Sequence, residues 1–273
     1  MPITLITGPA NAGKAELVMD AVRRHLAHGA EPLLVVPTRA DADHYLRELA
    51  GDGAAMGVRV ERFAGLIGEA VARAGVSKPV LGGAQRERVL EMMALRAGVA
   101  RSPGALRALG ELVAELQVRR VTPAAFSKAL SSWADADGAG AVRAEHPGGP
   151  TPWGAPEGAH PEGRGQAGTL GRVFAEYRDT LEQIGRVDGE QRAVRALDEL
   201  RRRPALWGGT PVLVYGFDDL THLQLDAIET LGRVVDAQVT VSLSYEPGRT
   251  AFAGRAASFH ALEPLAAEHR ALA

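Results

Sequence analysis

The chain has 273 residues, 46% of them apolar, a net charge of −2 at pH 7 and no cysteine. That length allows one large domain or two small ones. The lack of cysteine excludes disulfides, a thiol nucleophile and a cysteine-bound iron–sulfur cluster. Because the net charge is close to zero, bulk electrostatics give no argument for nucleic-acid binding. No apolar run approaches the ~20 residues that cross a bilayer, and the N-terminus lacks a signal-peptide pattern, so we expect a cytoplasmic protein that does not enter a membrane.

The first 62 residues alternate between short apolar runs and helical periodicity. Residues 3–7 and 33–36 predict strands, residues 58–60 predict a weaker one, and apolar spacing after each of the first two predicts a helix. The continuous apolar run at 33–36 is typical of a strand that is buried on both faces. Strands that alternate with helices indicate βαβ units and a parallel sheet.

Strand signals are missing from about residue 63 to residue 203, where helical periodicity predominates. It predicts helices over residues 63–74, 84–97, 103–119, 123–133, 170–185 and 189–203. Residues 134–168 interrupt this stretch with Gly, Pro and His, and we interpret them as a flexible loop. Residues 63–205 are therefore expected to form a mostly helical insertion.

Strand signals return near the end of the sequence. Residues 212–215 and 237–243 predict two more strands, with a helix over residues 223–233 between them. Residues 1–62 and 206–273 together have the size of one ordinary domain. We therefore expect one α/β domain with a parallel sheet flanked by helices, interrupted by the helical insertion.

The segment between the first strand and the first helix matches a phosphate-binding loop. It reads Gly8-Pro9-Ala10-Asn11-Ala12-Gly13-Lys14, which fits G-x-x-x-x-G-K in the strand–loop–helix context that supports such a match. The loop's backbone N–H groups and the helix N-terminus would surround a phosphate, and Lys14 would reach the β and γ phosphates of ATP. These residues and Ala15 are the predicted nucleotide-binding residues, and they favour a RecA-like P-loop NTPase domain. The alternative is a glycine-rich turn with an incidental lysine.

Ala15 departs from the pattern, because a Ser or Thr at this position normally supplies a hydroxyl to Mg²⁺. Its methyl side chain has no ligand atom. A phosphate cradle can survive this change, but the placement of a metal ion suffers. Phosphate binding and hydrolysis therefore have to be judged separately.

A second motif follows the strand predicted at 212–215. From Val212 to Leu231 the sequence reads Val-Leu-Val-Tyr-Gly-Phe-Asp-Asp-Leu-Thr-His-Leu-Gln-Leu-Asp-Ala-Ile-Glu-Thr-Leu. Together with the loop at 8–14, the block Val-Val-Pro-Thr-Arg-Ala at 35–40 and the helical insertion, it resembles the B subunit of the bacterial AddAB helicase–nuclease. The resemblance covers nearly all of this chain but only the N-terminal part of that subunit, whose nuclease motif and iron–sulfur cysteines do not occur here.

The resemblance implies a superfamily 1 helicase-like domain that acts in DNA repair and recombination. It implies single-stranded DNA as a ligand and an A-type helicase–nuclease subunit as a partner. When Asp219 and Gln224 are aligned with the last Asp and Gln of the superfamily's second motif, its leading Asp-Glu falls on Tyr215 and Gly216. These two residues can neither hold Mg²⁺ nor activate water. With Ala15, three groups around the metal and the water are missing, so no residue receives a catalytic role and weak or absent ATP hydrolysis is expected.

A rival alignment makes Asp218 and Asp219 a Mg²⁺-binding pair at the end of a strand. It favours an active P-loop ATPase or a small-molecule kinase that uses Asp218. The plainer alternative is that both carboxylates begin the next helix, with Thr221 as a second candidate for its cap. A third alternative is an interaction domain whose loop stays empty.

Thr38 and Arg39 are the predicted DNA-binding residues. They follow the second strand, where helicases of the resembled superfamily place a DNA-contacting motif, and a hydroxyl beside a guanidinium suits a phosphate backbone. The alternative is a helix that starts there with Thr38 as its cap. Arginine-rich stretches at 86–88, 119–120 and 201–203 are further candidates for contact with single-stranded DNA, or else solvated helix faces.

Overall fold

A parallel sheet is the central feature of the computed structural model, which describes residues 3–51, 53–99, 101–143 and 162–273, with the backbone alone at 134–143 and 162–167. The described strands are β1 (Ile3–Gly8), β2 (Leu33–Val36), β3 (Arg59–Arg62), β4 (Val212–Val214), β5 (Val239–Ser244) and β6 (Ala266–Ala271). All six are parallel, in the order β3-β2-β4-β5-β1-β6. The predicted α/β class with a parallel sheet is confirmed.

Helices connect the strands. They are α1 (Lys14–Ala27), α2 (Arg39–Ala50), α3 (Phe63–Ala74), α4 (Gly83–Ala97), α5 (Pro103–Val118), α6 (Pro123–Arg143), α7 (Glu162–Gln183), α8 (Gly189–Arg202), α9 (His222–Glu229) and α10 (Ala256–Leu262). A π-helical turn over Thr230–Val234 continues α9. Among the described residues, no helix combines the length and the apolar character needed to span a bilayer.

Helices cover both faces of the sheet. Successive side chains along a strand point to opposite sides, so each strand contributes residues to both of the resulting cores. One face packs against α3, α8, α9 and α10, and its strand residues are Ile3, Leu5, Leu33, Val35, Val212, Val214, Val239, Val241 and Leu243. The other face packs against α1 and α2 through Ile6, Leu34, Val36 and Leu213. Burial on both sides explains why β2 and β4 read as continuous apolar runs in the sequence.

The described residues fall into two compact units, one formed by residues 1–77 and 192–273 and the other by residues 78–191. The second unit has its own core of apolar side chains from α4, α5 and α7, including Met93, Val113 and Phe174. Within this unit Tyr177 is fully buried, and its hydroxyl donates to Asp188 Oδ2 at 2.9 Å. The unit is narrower than the insertion predicted over 63–205, since Leu66 and Ala70 of α3 and Leu200 of α8 pack against the sheet.

Two helices extend into the segment that the sequence indicated as a loop over 134–168. Helix α6 continues to Arg143, and α7 begins at Glu162. Residues 134–143 are rich in alanine, which has the highest helix propensity. The Gly- and Pro-rich centre of the predicted loop, residues 144–161, lies outside the described residues.

Gly232 allows the helical turn after α9 to approach β1 closely. A Cβ atom at this position would lie 2.3 Å from Cγ1 of Ile3, which is fully buried in the sheet core. Protein cores are packed as densely as organic crystals, so no space is available for an added methyl group.

We expect Gly232→Ala to lower the free energy of unfolding by about 1–3 kcal/mol, because overpacking forces side chains and backbone to shift. Gly68→Ala in α3 is the matched control: its Cβ position has no neighbour within 4 Å, and alanine favours helix over glycine by roughly 0.5–1 kcal/mol. Urea unfolding followed by circular dichroism measures both variants. A Gly232→Ala protein as stable as the Gly68→Ala protein would contradict the close approach to Ile3.

Candidate functional site

The carboxyl ends of β1, β2, β4 and β5 meet at one edge of the sheet because the strands are parallel. Residues 9–13, 37–38, 215–221 and 245–255 follow these four ends. Ligand sites of open α/β sheets lie at this edge, outside the carboxyl ends of the strands. The edge therefore brings together the predicted nucleotide, DNA and metal residues.

The loop at 8–13 joins β1 directly to α1. Gly13 has φ 81° and Asn11 has φ 62°, both in the left-handed region, which glycine adopts without a steric penalty and asparagine tolerates. The carbonyl of Gly13 accepts the N–H of Leu17 at 3.2 Å, so the helix starts directly after the loop. The chain thus turns sharply and leaves the N-terminus of α1 at the carboxyl edge of the sheet.

Lys14 is the first residue of α1, and it is buried with 6% of its surface exposed. Its Nζ donates to the carbonyl oxygen of Gly8 at 2.9 Å and also to that of Pro9. Burial lowers the pKa of Lys14, and the positive charge of Arg255 lowers this pKa further. The ammonium group therefore lies against the carbonyl groups of the predicted phosphate loop itself.

Asp218 and Asp219 have different partners. Asp218 Oδ1 accepts from Nη2 of Arg255 at 2.5 Å, and its side chain is 82% exposed. Asp219 Oδ1 accepts from the buried hydroxyl of Ser258 and from the backbone N–H of Leu220, the latter at 2.9 Å. Among the side chains that the structure describes, no group of three His, Asp or Glu could hold a metal ion. A metal role for the two aspartates stays a prediction.

The N-terminal cap of α9 is Thr221 and not one of the two aspartates. The hydroxyl of Thr221 accepts the N–H of Gln224 at 3.4 Å, and Gln224 Oε1 accepts the N–H of Thr221 at 2.7 Å. This reciprocal pair is a capping box. The cap of α9 is therefore the second of the two candidates considered from the sequence.

Arg255 is a site residue that the sequence did not indicate. Its Nη1 donates to the carbonyl of Ser244 at the end of β5, at 3.2 Å, and its Nη2 binds Asp218. Its guanidinium carbon lies 5.5 Å from the centre of the Phe252 ring, and 27% of its side chain is exposed. No spacing in the sequence relates Arg255 to the loop at 8–14, because only the pairing of β5 with β1 brings them together.

Tyr215 and Gly216 contribute to packing. The ring of Tyr215 lies edge-on to that of Tyr45 in α2, with 5.4 Å between the ring centroids. Burial and a hydrogen bond with Tyr215 raise the pKa of Tyr45 above its usual range. Gly216 has φ 84°, and a Cβ atom there would lie 3.3 Å from Cδ of Pro37. These contacts hold the end of β4 against α2 and against Pro37, which precedes that helix.

Thr38 is the cap of α2. Its hydroxyl accepts the N–H of Asp41 at 3.1 Å and donates to Asp41 Oδ2 at 2.7 Å. The same carboxylate oxygen accepts the N–H of Thr38 at 3.0 Å, which completes a capping box. Arg39 is exposed beside it. The capping role is present in the structure, and the DNA contact predicted for Thr38 and Arg39 stays a prediction.

The arginine-rich stretches carry local ion pairs. Arg88 pairs with Glu91 at 2.6 Å and Arg202 pairs with Glu199 at 2.7 Å, each at helical spacing. Arg119 pairs with Glu115 in the same way at 2.5 Å. Such pairs are typical of solvated helix faces, and the neighbouring carboxylates reduce the positive potential that a DNA backbone would meet.

No family model matches this sequence, and a search of curated proteins also finds no match. The likeness to a helicase–nuclease subunit therefore rests on the motif residues alone.

We expect Thr38→Ala to lower the free energy of unfolding by about 1 kcal/mol, because the N–H of Asp41 loses its cap. Thr38→Ser keeps the hydroxyl and should retain most of this stability. Urea unfolding of the two variants measures the difference. Equal stability of Thr38→Ala and wild type would show that the cap contributes nothing to α2.

Proposed function

We propose that the chain is a P-loop domain that binds the phosphates of ATP or ADP at residues 8–14 and hydrolyses ATP weakly or not at all. The observation that carries this proposal is the position of Lys14. A buried ammonium group stands at the first turn of a helix, against a glycine-rich loop at the carboxyl edge of a parallel sheet. The N–H groups and partial positive charge of a helix N-terminus favour a phosphate there.

The residues around the loop support binding without efficient turnover. ATP hydrolysis needs a metal ion held beside the phosphates and a group that positions the attacking water. Ala15 has no side-chain oxygen that could bind a metal ion, and Tyr215 is packed against Tyr45. A bound nucleotide would then act as a structural ligand, which stabilises the folded chain by about 2.7 kcal/mol when its free concentration is 100 times the Kd.

The wider role that we propose is that of a DNA-binding, helicase-like domain in a repair and recombination helicase–nuclease. It rests on the resemblance at residues 8–14, 35–40 and 212–231. Arg39 supports it because this exposed cation follows the carboxyl end of β2, at the same edge as the loop at 8–14. A partner subunit of the A type would supply the hydrolysis that drives movement along DNA.

We expect wild-type protein to bind ADP and ATP, and Lys14→Ala to bind them at least ten times more weakly, because the ammonium group that would contact the phosphates is lost. Lys78→Ala removes an exposed lysine and is the matched control. Isothermal titration calorimetry measures affinity, and phosphate release with single-stranded DNA present measures turnover. Absence of binding by wild type would reject nucleotide binding, whereas turnover at the rate of a working helicase would reject the inactive site.

We expect Arg39→Gln to weaken binding of single-stranded DNA several-fold and to reduce the slope of log affinity against log salt by about 0.7, the value for one lost contact to a single strand. Arg47→Gln on the same helix is the control, since this exposed guanidinium donates to the carbonyl of Asp43 at 3.0 Å. Fluorescence anisotropy with a labelled oligonucleotide measures both. Equal affinities of the two variants would contradict a DNA contact at Arg39.

A further inference from the structure

We propose that the site binds a polyphosphate without a metal ion, with Arg255 as the second phosphate-binding cation and Asp218 as its exchangeable counter-ion. The inference rests on the proposed function, because it takes the loop at 8–14 as the phosphate cradle. The ligand class is a metal-free polyphosphate chain, and Arg255 is a binding residue that no motif contains.

The residues present do not fit a protein-held Mg²⁺. In P-loop proteins a hydroxyl after the lysine and a carboxylate on a neighbouring strand hold the ion. Here the first position is Ala15, and the carboxylates that follow β4 are engaged by the protein. Asp219 is bonded to the buried hydroxyl of Ser258 and to the N–H of Leu220, while Asp218 is paired with the guanidinium of Arg255.

The two cations are anchored on residues that pair across the sheet. Lys14 donates to the carbonyl of Gly8, and Arg255 donates to the carbonyl of Ser244. Gly8 and Ser244 are direct partners in the register of β1 and β5, and neighbouring strands lie about 4.8 Å apart. The lowered pKa of Lys14, part of which comes from the charge of Arg255, agrees with two like charges at close range. A chain of phosphates can contact both groups.

The ion pair between Arg255 and Asp218 is suited to exchange. Asp218 is 82% exposed, whereas Arg255 is 27% exposed and is held by Ser244 as well. An exposed ion pair contributes little to stability, so Asp218 can leave without a large penalty. A phosphate group accepts two parallel hydrogen bonds from a guanidinium, and it brings more negative charge than one carboxylate. Phosphate is therefore expected to displace Asp218 from Arg255.

Calorimetric titration of the full chain with ADP and with inorganic tripolyphosphate, in EDTA and in excess Mg²⁺, tests the proposal. Affinity in EDTA should equal or exceed affinity in Mg²⁺, because the metal neutralises charge that the two cations would bind. Arg255→Gln should lose at least tenfold in EDTA. Arg249→Gln is the matched control, an exposed arginine of the same segment that pairs with Glu246, and its affinity should be unchanged.

The change in ligand affinity caused by Asp218→Asn distinguishes two roles for Asp218, because the two roles predict changes in opposite directions. As a counter-ion of Arg255, Asp218 competes with phosphate, and its removal should tighten binding about three- to tenfold in EDTA. As a magnesium ligand, it would support nucleotide binding, and its removal would weaken binding in Mg²⁺. Because Asp218 is exposed, this variant should fold even where Arg255→Gln does not, and thermal unfolding checks both.

Four outcomes would overturn the proposal. Binding that requires Mg²⁺, or weaker binding by Asp218→Asn, would reject metal-free recognition while leaving nucleotide binding at the loop intact. Equal affinity of Arg255→Gln, Arg249→Gln and wild type would reject Arg255 as a phosphate-binding residue. Failure of wild type to bind either ligand in both buffers would reject the nucleotide site itself and this inference with it.

Discussion

The parallel pairing of β1 with β5 is the interaction on which the candidate site depends. The register runs from Ile3 beside Val239 to Gly8 beside Ser244, so both strands end at the same level. The loop at 8–14 and the segment that contains Arg255 therefore start next to each other. A slip of one residue would move every side chain of β1 to the opposite face of the sheet. Ile3 and Leu5 would then leave the core that they form with β5, and the ends of the two strands would no longer lie at the same level.

Helix α10 determines where Arg255 lies relative to the end of β5. Phe259 stacks on Tyr245 with 4.3 Å between the ring centroids, and Leu262 is fully buried. Ser258 of the same helix is buried and bonded to Asp219 and to the N–H of Leu220. The helix is thus fixed both to the end of β5 and to the segment after β4. Arg255, directly before it, owes its position to these apolar and polar contacts rather than to its own ion pair.

The sequence predicted the elements whose signal is local and missed those that depend on remote pairing. The strand at 33–36 and the helix at 63–74 were predicted to the residue, because burial on both faces and helical spacing are visible within a few residues. Strand β6 reads Ala-Ala-Glu-His-Arg-Ala, which does not favour a strand by composition, and it forms because it pairs with β1. The loop at 8–14 carries a motif, whereas Arg255 joins the site through the order of strands alone.

Residues at the carboxyl edge of the sheet also bear on whether a bound nucleotide would be hydrolysed. Tyr215 and Gly216 stand where the aligned helicase motif has its acidic pair, and both are used in packing against Tyr45 and Pro37. An acidic pair at these two positions would remove the contact between the Tyr215 ring and Tyr45 of α2. An arginine can neutralise phosphate charge, but unlike a metal ion it does not lower the pKa of a bound water. A site formed by Lys14 and Arg255 would therefore hold a polyphosphate and leave it intact.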